Sequence, residues 1–191
     1  MKLHLIFSLA LFVAVPTVHS QDALVQATNL GKMSYKEASD SVNGIIEQNR
    51  KLVVTLVGEI RQRDFPADSK LCAIYLLGEL RPRDASAVDA LMENIDFVAT
   101  RGDIRLGIAR WGKYPAEEAL EKIGMPAVHV ALTFYLPKEE DQLKRHLMCN
   151  VLQGALGEDN AITILKQWIA KESDPHKSAN LELALRELEK N

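Results

Sequence analysis

Residues 76–95 read LLGELRPRDASAVDALMENI, and this stretch decides the fold. An apolar helical stripe ends near Gly78, a polar break follows at Arg81-Pro82-Arg83-Asp84, and a second apolar stripe begins. The same order returns as ALEKIGMPAVHVALTFYL at 119–136 and as VLQGALGEDNAITILKQWI at 151–169. Copies recurring at roughly 35 to 40 residues suit stacked helix pairs, because one pair cannot bury its own apolar face and must lean on a neighbour.

Working outward from these copies, helices are expected at about 68–81, 84–95, 115–123, 126–136, 139–156, 159–172 and 176–190. Pro82 stops the first of them, and Asp84 is placed to cap the next. Pro115 fits a first helical turn, where its missing N–H is no loss, and Gly124 then ends that helix before Pro126 opens its partner, which stops at Pro137. Gly157–Asn160 and Ser173-Asp174-Pro175 read as turns. No alternating run is long enough for a strand, so the class is all-α. One continuous core should hold Leu77, Leu80, Val88, Leu91, Ile123, Val128, Leu132, Leu152, Leu165 and Ile169.

Upstream, Ala38, Val42, Ile45, Leu52, Leu56 and Ile60 recur at helical steps, with Asn49 in the same series. They predict one long helix from Ser34 to about Gln62, with a hairpin turning near Gln48-Asn49 as the alternative. Phe65-Pro66-Ala67-Asp68-Ser69 ends it. Residues 21–33 lack sustained periodicity and read as a loose terminus.

The start of the chain has the layout of a secretory signal peptide: Lys2, then an apolar run from Leu5 to Val15, then Pro16 and Val18-His19-Ser20. The run is shorter than the ~20 residues a membrane span requires. Cleavage is expected before Gln21, giving a product that is secreted or periplasmic, and no membrane span is expected. Lys2 is the only formally charged residue removed, so 22 basic and 26 acidic residues remain and the net charge moves from −3 to −4. That balance, with no basic cluster, argues against nucleic acid. The remaining 171 residues suffice for one helical-repeat domain over 34–191.

The strings AIYLLGELRPRDASAVDALMENI (73–95) and YPAEEALEKIGMPAVHVAL (114–132) resemble HEAT repeats, including the HEAT-like repeats of phycobiliprotein lyases. Leu77-Gly78, Ile123-Gly124, Pro126-Ala127-Val128 and Ala87-Val88 carry the likeness, which covers about residues 65–172 and weakens at Ala161-Ile162. It implies a short α-α superhelix of antiparallel helix pairs preceded by the long N-terminal helix. The surfaces of such superhelices bind other proteins. Hydroxylases of this fold carry repeated His-Glu steps, and this sequence has none. Tetrapyrrole binding, known from the lyases, does not suit an exported chain with its cysteines at helical core positions.

Other chemistry is sparse. Cys72 and Cys149 lie in apolar stripes about two repeats apart, ~20 Å at helix-packing distances, whereas a disulfide needs Cα atoms within ~7 Å. Two buried free thiols are expected, with a bridge that would overturn this stacking order as the alternative. His129, His146 and His176 stand singly, without the converging ligands a metal needs. Glu117-Glu118 and Glu139-Glu140-Asp141 fall in first helical turns, where carboxylates meet the positive end of the dipole. Neither metal nor cofactor is expected, and no catalytic residue is assigned.

One segment stands apart. VATRGDIRLGIARWGKY, residues 98–114, is long for a connector between stacked helices. It sets Arg101, Arg105, Arg110 and Lys113 against Asp103, with Trp111 and Tyr114 beside the cations. Arg, Trp and Tyr are the residues that dominate binding hot spots. Two readings stay open: a protein-binding site at Arg101, Arg105, Arg110, Trp111, Lys113 and Tyr114, or a connector whose Trp111 plugs the core. The function expected is a non-enzymatic protein-interaction scaffold, with an enzyme accessory or small-ligand protein using a groove near Trp111 as the alternative.

Overall fold

The computed structural model describes residues 35–98 and 112–190, with side chains of the first helix described from Glu47 onward. The helices are α1 (Tyr35–Ile60), α2 (Ala67–Leu80), α3 (Ala85–Met92), α4 (Pro115–Ile123), α5 (Met125–Val130), α6 (Gln142–Leu156), α7 (Glu158–Ile169) and α8 (Pro175–Leu188). Among the described residues there is no strand, and the chain is all-α. The chain divides between Arg50 and Lys51 into two units. In the first, Tyr35–Arg50 are helical and Glu47–Arg50 are exposed. The second unit is Lys51–Asn191.

Local chemistry sets most boundaries. The Asp84 side chain accepts the Ser86 N–H at the start of α3, and Asp141 and Asp174 do the same for α6 and α8. Pro115 and Pro175 take first helical positions. Gly124 and Gly157, at φ 76° and 79°, end α4 and α6 in conformations that a side chain would strain. Arg81 closes α2 at φ 47°, and its N–H donates to the Leu77 carbonyl, a left-handed cap that turns the chain into Pro82.

Two expected boundaries are corrected. The helix beginning near Pro126 does not run regularly to Pro137. It widens into a π-helical stretch, Ala131–Tyr135, and then tightens into a 3-10 turn, Leu136–Lys138, that contains Pro137. Helix α6 starts at Gln142 rather than 139, because Asp141 takes the capping position and the Glu139 side chain accepts the Asp141 N–H.

Helices α2, α4 and α6 lie side by side, and α3 and α5 touch each other while resting on α4. A Cβ added at Gly78 would stand 2.9 Å from the Ala119 Cα, so the approach of α2 to α4 depends on a glycine facing an alanine. Paired contacts give direction. Glu117 meets Asn150 and Glu121 meets Gly154, so α4 and α6 run in the same sense. Arg145 meets Glu187 and Cys149 meets the Ala184 carbonyl, so α8 crosses α6 in the opposite sense. It closes the stack against α6, α7 and the 3-10 turn.

One core runs through the unit, from Val53, Leu56, Val57 and Ile60 of α1 to Leu181, Ala184 and Leu188 of α8. It contains Leu77, Val88, Leu91, Ile123, Val128, Leu132, Leu152 and Leu165, with Leu80 and Ile169 packed on it half-buried. Cys72 and Cys149 are free and buried.

Candidate functional site

Of the six candidate binding residues, Arg101, Arg105, Arg110 and Trp111 lie outside the described residues. Lys113 and Tyr114 are described and are brought together at the entrance to α4. Tyr114 is the capping residue, half-buried against the core, and it delivers the chain to Pro115. Lys113 is exposed, with its Nζ 5.1 Å from the centre of the Tyr114 ring, a geometry worth roughly 0.5–1 kcal/mol at an exposed site. The Gly112 N–H donates to Glu118 Oε1. The C-terminal end of the connector is therefore tied to α4 by a backbone bond and an aromatic packed on the core.

Beside it, the seam between α4 and α6 is lined with carboxyl groups. Glu117 Oε1 accepts the Asn150 amide at 2.7 Å. Burial holds the Glu117 carboxyl above the usual carboxylate value, and the Asn150 bond and the charge of His146 pull it partly back. One turn later Glu121 lies over Gly154, where an added Cβ would stand 2.5 Å from its Cδ. Burial raises the Glu121 carboxyl as well, with the charges of Glu117 and Glu118 adding to it. On the α2 side Lys122 Nζ is 2.5 Å from Glu79 Oε1 and 5.5 Å from the centre of the Tyr75 ring.

Two further polar groups reach into the packing. Tyr135, at the end of the π-helical stretch, has its hydroxyl 3.4 Å from both the carbonyl and the carboxylate of Asp89. Burial and the charges of Asp89 and Glu93 push its phenol up to about 12. Between α6 and α8, Arg145 Nε donates to Glu187 Oε1 at 2.9 Å, with side chains 9% and 18% exposed. The Asn180 amide donates to the Pro137 carbonyl, satisfying a group left open where the regular helix ends.

The chemistry open to these groups is narrow. Burial raises the Cys72 thiol, and burial together with Glu187 pushes the Cys149 thiol up to about 12, so both stay protonated and poorly nucleophilic. The His129 ring meets Trp168 edge-on at 6.4 Å, His146 is exposed, and the His176 N–H donates to Asp174. Among the described residues, no three of His, Cys, Asp or Glu gather as metal ligands, and no helix is long and apolar enough to cross a membrane.

Sequence reasoning assigned Glu117 and Glu118 to the helix dipole and missed their partners, Asn150 and the Gly112 N–H. A signal was present. Glu117 and Glu121 are four apart, as are Asn150 and Gly154, and only the pairing of the two helices shows that the spacings match. Arg145–Glu187 and Tyr135–Asp89 gave no local sign, because their partners are 42 and 46 residues away.

No family model, curated protein or solved structure matches this chain.

Proposed function

We propose that the mature chain, beginning at Gln21, is an exported helical-repeat module that binds another protein and carries no catalysis of its own. In this reading the helix pairs form a short HEAT-like superhelix preceded by a long N-terminal helix. The partner docks on the connector from Val98 to Tyr114, with Arg101, Arg105, Arg110, Trp111, Lys113 and Tyr114 making the contacts. The observation that supports it most is the side-by-side row of α2, α4 and α6, with α4 and α6 in the same sense. Successive pairs related this way contact only their neighbours and expose broad faces of the kind repeat proteins use for large partners. The half-buried Tyr114 and exposed Lys113 at the connector's described end fit an aromatic anchor with a cationic rim.

Cross-linking of the mature protein in its native exported compartment tests the proposal. One protein species joined through residues 98–114 is the expected result. Cross-links confined to other segments overturn the assigned surface. A melting temperature raised by a small-molecule extract, with no protein cross-linked, overturns the scaffold in favour of a small-ligand protein with a groove near Trp111.

A further inference from the structure

The α4–α6 seam holds two carboxyl groups of like charge one helical turn apart, each laid on the neighbouring helix. Glu117 rests on the Asn150 amide and Glu121 on the backbone at Gly154, where only the absence of a side chain leaves room. Like charges at this spacing repel within a helix, and burial between helices weakens the solvent screening that would otherwise relieve them.

Among the described residues, the groups facing the seam from each neighbour leave the pair largely uncompensated. Helix α6 presents His146, exposed and acting on Glu117 alone, while α4 adds Glu118, a third carboxylate, bonded to the Gly112 N–H. From α2 comes Glu79, paired with Lys122. Asp89 of α3 turns to Tyr135, and His129 of α5 turns to Trp168.

We infer that the α4–α6 seam is a pH-responsive joint, loosened at neutral pH by two ionised glutamates and tightened when acid neutralises them. The inference is independent of the partner-binding proposal. Both carboxyls are held above the ordinary value of 4.5, chiefly by burial. A carboxyl that binds its proton more tightly folded than unfolded costs stability above its folded value, and the cost is relieved as pH falls toward the unfolded value. Acidification should therefore strengthen this joint, opposite to the usual effect of acid on a paired carboxylate.

The test compares melting temperatures of wild type and E117Q/E121Q across pH, since glutamine keeps the shape and the bond to Asn150 while removing the charge. At about pH 7.5 the double variant should melt about 2–4 °C higher, and the gap should close toward about pH 4.5. In a G154A background, where the new methyl group displaces the Glu121 carboxyl, the gain from E121Q alone should shrink. A gap that is absent at neutral pH, or that stays constant with pH, overturns the inference. An E121Q gain undiminished by G154A overturns the place given to Gly154.

Discussion

Leu91 sits at 0% exposure at the centre of the core, two positions after Asp89, whose carboxylate meets the Tyr135 hydroxyl. Truncating it removes side-chain volume where neighbours on α3, α4 and α5 are already in contact, so Leu91→Ala should cost ~2–5 kcal/mol in urea unfolding. A loss under ~0.5 kcal/mol would mean that the site is not enclosed. The two cysteines offer a second check at this scale. Their thiols are buried and their ionisation is suppressed, Cys149 most strongly. An aromatic disulfide reagent at neutral pH should therefore leave the folded protein unlabelled and should label both sites after denaturation. Rapid labelling of the native protein would contradict this burial.

At the scale of the helices, what was legible in the sequence and what was not separate by distance along the chain. Asp84, Pro115, Gly124, Gly157 and Asp174 act on residues within a turn of themselves, and each marks a boundary where local chemistry places it. The Asp174 carboxylate accepts N–H groups from both His176 and Lys177. Asp174→Ala should accordingly cost about 1 kcal/mol and fray the start of α8, seen as faster amide exchange over its first turn; unchanged exchange there would remove the cap from the account. The π-helical stretch was not legible, because its phenol is directed to a partner on α3. Nor was the opposite sense of α8, fixed by Arg145–Glu187 and Cys149–Ala184 across more than thirty residues. The candidate site follows the same division: a cationic and aromatic connector could be read from composition, whereas the carboxyl seam beside it exists only once α4 and α6 are side by side.

At the scale of the whole molecule, the proposed module is an exported chain whose row of stacked helices carries a long connector with three arginines and one tryptophan. Export is checked first. Purified native protein should begin at Gln21, and an intact Met1 would contradict processing at Ser20–Gln21. The central claim is that the connector binds a protein partner rather than merely linking α3 to α4, and two variants divide those roles. In the proposed binding role the connector's arginines face solvent, where they contribute little to folding, so Arg105→Ala with Arg110→Ala should preserve the melting temperature. Trp111→Ala should lower it if that ring plugs the core. The most direct measurement is calorimetric titration of the cross-linked partner, once identified, against the wild type and the folded double arginine variant. The account predicts an affinity at least about tenfold weaker for the double variant, equivalent to about 1.4 kcal/mol, with the melting temperature unchanged. Equal affinities for the two proteins would contradict it.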